Sequence, residues 1–125
     1  MTAGRVLLVE DDERSVELIR LTLEPTGFQL ATAGSLAAAR GHIAAGLPDV
    51  ILLDLRLPDG PGHLLASEVR AMPGGAAVHI LAVSASVTAS DRARALEGGC
   101  DDFLEKPISP RDLVTRIRRW QDEPA

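Results

Sequence analysis

Val50-Ile51-Leu52-Leu53-Asp54, followed by Leu55-Arg56-Leu57-Pro58-Asp59-Gly60, decides how this chain is read. Four branched apolar residues run without polar alternation, the pattern of a strand buried on both faces of a parallel sheet. An acid closes the run. The Asp54 carboxylate is therefore expected at a sheet edge, on backbone that the core holds still.

Working outward, Val6–Val9 and Val78–Val83 read the same way, with Phe28–Thr32 and Asp102–Leu104 as weaker strand candidates. Helical spacing fills the gaps. Val16, Ile19 and Leu23 share one face, as do Leu36 and Ile43, then Leu65, Val69 and Met72, then Leu113, Ile117 and Trp120. Ser35, Thr88 and Ser109 stand where N-caps belong, Pro110 where a first helical residue belongs, and Gly27 and Gly46-Leu47-Pro48 where helices stop. A β-α unit repeated five times demands right-handed crossovers and a parallel sheet with helices on both faces.

Composition sets the outer limits. The 125 residues suit one domain, and 46% hydrophobic content with 2% aromatics implies an aliphatic core. A formal charge of −5 argues against wrapping nucleic acid or docking on an anionic membrane. The single cysteine, Cys100, permits no internal disulfide and reads as a buried, inert thiol. No basic-then-apolar leader opens the chain, and no apolar run nears the roughly 20 residues that span a bilayer. A cytoplasmic location is the expectation. The expected domain covers residues 1–125, with its core at 5–120 and Gln121–Ala125 as a frayed end or the start of a linker.

In open parallel sheets, chemistry gathers at the carboxyl ends of the strands. Those ends carry Glu10-Asp11-Asp12, Asp54, Ser84-Ala85 and Glu105-Lys106-Pro107. Asp12 and Glu13 read as a helix cap and a first-turn acid. Glu10 and Asp11 facing Asp54 would be costly unless a cation neutralised them, and oxygen ligands with room for water suit Mg²⁺. A carboxylate can attack phosphorus, given a metal and a cation to offset charge on the transferring oxygens. Lys106, the only lysine among thirteen basic residues, suits that cation. Ser84 suits a hydroxyl donor to a phosphoryl oxygen, and small Ala85 leaves the approach open.

Val-Leu-Leu-Val-Glu-Asp-Asp, then Leu-Leu-Asp-Leu-Arg-Leu-Pro-Asp-Gly, then Ala-Val-Ser-Ala, then Phe-Leu-Glu-Lys-Pro, in that order, resemble the receiver domains of two-component response regulators, the CheY-like superfamily. The resemblance spans Arg5 to about Trp120. It implies a doubly wound five-stranded parallel sheet in the flavodoxin-like order 2-1-3-4-5, with five helices on both faces. By the same resemblance Asp54 is the phosphoacceptor, and Glu10, Asp11, Asp54 and the backbone carbonyl of Arg56 hold Mg²⁺, with Mn²⁺ as a substitute. Ser84 matches the switch hydroxyl, Lys106 the phosphate-contacting lysine, Phe103 the switch aromatic, and Pro58 to Gly62 the active-site loop. Three features depart from the commonest pattern or are left open by it. Phe103 lacks the phenolic hydroxyl of the commoner tyrosine. Arg56 and Ser86 stand at variable positions that tune phosphate lifetime. Glu97–Cys100 with Lys106–Ser109 looks like stand-alone regulators and hybrid-kinase receivers.

The implied role is a switch rather than an enzyme. Its partners are a sensor histidine kinase or phosphotransfer protein upstream and a protein target downstream. That target reads the surface of the fourth helix, fifth strand and fifth helix, and phosphorylation-dependent homodimerisation is a further option. Three other readings compete. A haloacid-dehalogenase-like phosphatase would want a second acid two residues after the nucleophile, where Arg56 stands. A flavodoxin-like FMN binder would not set Glu10-Asp11-Asp12 against phosphate. A degenerate receiver acting as a phosphorylation-independent binding module would not keep Glu10, Asp11, Asp54, Ser84 and Lys106 together. His42, His63 and His79 have no ligand spacing and read as surface or packing residues. Trp120 reads as core edge, and Arg111, Arg116, Arg118 and Arg119 as a solvated face.

Overall fold

The computed structural model describes residues 4–85 and 88–122, with side chains described as far as Trp120. Ser86, Met1–Ala3 and Glu123–Ala125 lie outside the described residues. The elements run β1 (Arg5–Val9), α1 (Glu13–Leu23), β2 (Gln29–Ala33), α2 (Leu36–Ala45), β3 (Val50–Asp54), α3 (His63–Arg70), β4 (His79–Ser84), α4 (Ala89–Glu97), β5 (Asp102–Glu105) and α5 (Pro110–Asp122). The five strands pair in parallel in the order β2-β1-β3-β4-β5. Between β3 and α3 a short antiparallel ribbon pairs Arg56 with Pro61 and Leu57 with Gly60.

Strand alternation divides the core in two. Leu7, Val9, Ile51, Leu53, Ile80 and Ala82 face α2, α3 and α4. Val6, Leu8, Val50, Leu52, Leu81 and Val83 face Ile19 and Leu23 of α1 and Leu113 and Ile117 of α5. β3 is buried throughout, as its unbroken apolar run requires. Each Val, Leu or Ile among them removed from water contributes roughly 1.5–3 kcal/mol.

The helices begin where capping chemistry dictates. Asp12 accepts from the Ser15 N–H, Ser35 from Ala38 and Thr88 from Asp91. Gly27 takes the left-handed conformation, φ +85°, in the turn after α1.

Several expected boundaries shift. β2 and β4 each sit one residue later than the apolar runs suggested, so Ala33 and Ser84 close the strands. β3 and β5 each take in their terminal acids, Asp54 and Glu105, because the ladder continues to them. Met72 lies beyond α3, which ends at Arg70, and is 36% exposed. Its spacing matched the helix, but the chain turns before reaching it. α5 continues to Asp122, two residues into the stretch read as a tail. Trp120 stacks on the His79 ring, centroids 5.0 Å apart and 11° from parallel, at the edge of the core.

Candidate functional site

Backbone pairing fixes the site before any side chain does. The Glu10 N–H donates to the Ala33 carbonyl at 2.9 Å, carrying the β1–β2 ladder one rung past β1. The Lys106 N–H likewise donates to Ser84 at 2.9 Å, extending the β4–β5 ladder past β5. Asp54 is the last residue of β3, between them. Three strands of the parallel sheet thus deliver an acid, an acid and an amine to one rim.

Oxygens of Glu10, Asp11 and Asp54 all lie within 4.8 Å of one another. Glu10 and Asp54 are buried, 4% and 8% exposed, while Asp11 faces solvent. The Lys106 Nζ makes a short contact with Glu10 Oε1 and lies 3.5 Å from Asp54 Oδ2. Lys106 is followed by a cis peptide to Pro107. Burial, reinforced by the neighbouring Asp54, pushes the Glu10 carboxyl up to about 7 against the pull of Lys106. Burial would depress the Lys106 ammonium, but the hydrogen bond to Glu10 and the charge of Asp54 outweigh it and hold the amine above its ordinary value. Three carboxyl groups facing a single ammonium make a site that favours further positive charge. An all-oxygen donor set, partly open to water, fits a hard divalent cation such as Mg²⁺.

The loop after β3 completes this corner. The Gly62 N–H donates to the Leu55 carbonyl at 2.9 Å, and a Cβ on Gly62 would fall 2.0 Å from the Asp54 carbonyl oxygen, so only glycine lets the loop close there. Arg56 pairs with Pro61, which has no N–H, and lies between the two bonded rungs of the ribbon. Its own N–H turns away from the ribbon and donates to Asp54 Oδ1 at 3.0 Å. In a strand, a residue's carbonyl lies on the same side as its N–H, so the Arg56 carbonyl is on the acidic side.

Ser84 is 2% exposed and borders, with Leu55, Arg56, His63, Asp91 and Arg94, a depression beside the acids. Phe103 is buried on the α2/α3/α4 side of the sheet, and the Arg92 guanidinium lies 5.7 Å from its ring centroid. On the other side of Lys106 a mostly apolar shoulder is made by Arg14, Ser15, Leu18, Ala85, Pro107 and Ile108. Cys100 is buried and its thiol is pushed up to about 12 by burial and the nearby Asp101, as expected of an inert thiol. Arg116, read with its neighbours as a solvated face, is partly exposed and pairs with Asp102.

One residue of this corner was read only as part of the Pro58 to Gly62 loop, with no role of its own. Asp59 sits at the tip of the ribbon, and its carboxylate accepts from the Leu36 N–H at 2.8 Å and the Ala37 N–H at 3.0 Å. The loop motif does not disclose a partner 23 residues away.

Residues 6–118 match the response regulator receiver domain family. The chain is 35% identical to the phosphate regulon transcriptional regulatory protein PhoB of Escherichia coli, over 93% of this chain and 51% of that one. It is 36% identical to the DNA-binding response regulator MtrA of Mycolicibacterium smegmatis, over 97% of this chain and 54% of that one. The chain thus spans about half the length of these relatives. Among solved structures, a response regulator from Chloroflexus aurantiacus superposes with a TM-score of 0.91 at 30% identity, covering 98% of this chain and all of that one. The receiver domain of a sensor histidine kinase from Pseudomonas aeruginosa, with magnesium coordinated in its active-site cleft, superposes at 0.88 and 30% identity, again covering 98% and 100%. With a family match over residues 6–118 and the same fold in these solved structures, the chain belongs to the response regulator receiver domain family of two-component signalling.

Proposed function

We propose that Asp54 accepts a phosphoryl group from the phosphohistidine of a sensor histidine kinase or a phosphotransfer protein. The observation carrying this reading is the Lys106 amine, which reaches both Glu10 and Asp54 where three carboxyl groups converge. A Mg²⁺ ion held by Asp11, Asp54 and the Arg56 carbonyl, with Glu10 acting through water, would neutralise charge on the transferring oxygens; Mn²⁺ would substitute.

In the transfer, an Asp54 carboxylate oxygen forms a bond to phosphorus as the phosphorus–nitrogen bond breaks, and the histidine ring keeps the electron pair. Lys106 offsets the developing negative charge, and Ser84 donates its hydroxyl to a phosphoryl oxygen. Asp54 lies at the bottom of the rim, so a donor histidine must approach from above. The apolar shoulder of Leu18, Ala85, Pro107 and Ile108 beside Lys106 supports a protein donor that covers the site.

The added charge of roughly −2 then favours the arrangement in which Ser84 and Lys106 grip the phosphoryl group. Phe103 follows Ser84, and the surface of α4, β5 and α5 is reshaped for a downstream protein or for a second copy of the chain. The chain acts as a switch, assisting only its own phosphorylation and dephosphorylation. Residues 1–125 form one receiver domain, working in the cytoplasm. Among the described residues no helix is long and apolar enough to cross a membrane. Neither direct nucleic-acid contact nor membrane docking is expected of a chain with charge −5.

Mass spectrometry after incubation with acetyl phosphate and Mg²⁺ tests the reading. The wild-type chain should gain one phosphoryl group, Asp54→Asn none, and a chelator should stop the reaction. A wild type that stays unmodified would favour the phosphorylation-independent binding module instead. Turnover of small phosphate esters would favour the phosphatase reading.

A further inference from the structure

The first turn of α2 exposes three backbone amides that no helical carbonyl can satisfy. Ser35 accepts one of them, from Ala38 at 3.1 Å. The other two, Leu36 and Ala37, are taken by the two carboxylate oxygens of Asp59. Asp59 belongs to another element, the ribbon whose opposite strand carries Arg56. Those two amide bonds hold the Asp59 carboxyl below its ordinary range, so it stays ionised and keeps both acceptors.

The ribbon is squeezed between two rigid neighbours. On one side Gly62 touches the Asp54 carbonyl, and on the other Gly60 comes so near α2 that a Cβ would meet Leu36 Cδ1 at 3.0 Å. Gly60 also holds φ at +148°, a conformation other residues rarely adopt. Beyond the ribbon α2 is fastened again, by the fork of Arg40 on Glu68 of α3, two bonds of 2.8 Å. The ribbon therefore has no independent place to go. Its tip follows α2 and its base follows Asp54.

We propose that Asp59 is a positioning residue for the metal site: by docking the ribbon tip on the first turn of α2, it fixes the Arg56 carbonyl beside Asp54. The inference rests on the metal reading above and adds a residue and a direction of coupling to it. Coupling of this kind is reciprocal. If α2 steadies the carbonyl for Mg²⁺, then Mg²⁺ on the carbonyl steadies the first turn of α2. The α2 face therefore senses metal occupancy through Asp59.

Ser35 supplies the control, because its hydroxyl caps the same helix through Ala38, a bond that lies within α2 and its N-cap. Calorimetric titration of Mg²⁺ should give a Kd about tenfold weaker for Asp59→Ala, the low end of what losing a ligand's supporting partner costs. Asp59→Asn, which keeps one acceptor oxygen, should fall between Asp59→Ala and wild type. Ser35→Ala should lower the thermal midpoint comparably and leave the Kd unchanged. Hydrogen exchange at the Leu36 and Ala37 amides should slow on adding Mg²⁺ to wild type and not to Asp59→Ala. Mg²⁺ bound as tightly by Asp59→Ala as by wild type would overturn the inference and leave the metal reading standing. So would equal weakening by Ser35→Ala. A wild type whose Mg²⁺ titration matches that of Asp11→Ala would remove the metal reading itself, and the inference with it.

Discussion

α2 and α4 pack against the same face of the sheet, yet the core holds them very differently. α2 buries Leu36, Ala39 and Ile43, and its first turn is tied down by Ser35 and Asp59. α4 buries Ala95, leaves Leu96 half exposed and starts at the Thr88 cap. Segments open at a free energy set by how much apolar surface and how many buried bonds they would lose. α2 is built as an anchor, and it carries the loop that flanks the acids. α4 would lose less buried apolar surface on shifting, and it flanks Ser84 and Phe103, the residues that the proposed switch moves. Under the proposed switch, the sheet serves a half that would stay fixed and a half that would move, divided at Asp54.

The largest test of this contrast is a pair of truncations. Leu36→Ala should cost about 2–5 kcal/mol of stability, since it opens a cavity under α2. Leu96→Ala should stay within about 0.5 kcal/mol. Urea denaturation of both variants checks this, and equal costs would erase the distinction between anchor and shifting helix.

A second test uses pH. The folded Glu10 carboxyl keeps its proton up to about pH 7, whereas unfolded it loses the proton near 4.5. Its stabilising contribution is thus complete below about 4.5 and is lost as pH rises to 7. Mg²⁺ favours the ionised form, so its affinity should rise with pH by at most about tenfold per unit below 7, then level off. Titrations at several pH values check this, and a flat profile would mean Glu10 is already charged. Because Glu10 lies in the fixed half, the unfolding rate of α4 by hydrogen exchange should not follow the same curve.

The smallest effect concerns the mobile half. Arg92 is exposed, so its position over Phe103 should contribute only about 0.5–1 kcal/mol. A double-mutant cycle of Arg92→Ala with Phe103→Leu measures it. A coupling near zero would leave the ring held by the core alone.

Much of this was legible in the order of residues. β3 needs no partner to be recognised, because an unbroken apolar run can only be buried, and an acid ending such a run must sit at a sheet rim. Glu10, Asp11, Ser84 and Lys106 follow from the same rule applied to the other strands. The caps at Ser35, Thr88 and Asp12 are local patterns, so they too could be read directly. Met72 misled because helical spacing says where a face continues and not where the chain turns away. Asp59 was visible only as a member of the loop Pro58 to Gly62, because its partners are amides of a helix far back along the chain.

The amino-acid order alone determined a five-fold β-α alternation and the set of polar residues left at the strand ends, since both depend on near neighbours. Only the tertiary structure decided that Lys106 bridges Glu10, 96 residues away, and Asp54, that Asp59 closes the first turn of α2, and that α4 buries only Ala95. These depend on distances between segments remote in sequence and on how deeply each is buried. No local pattern encodes either quantity.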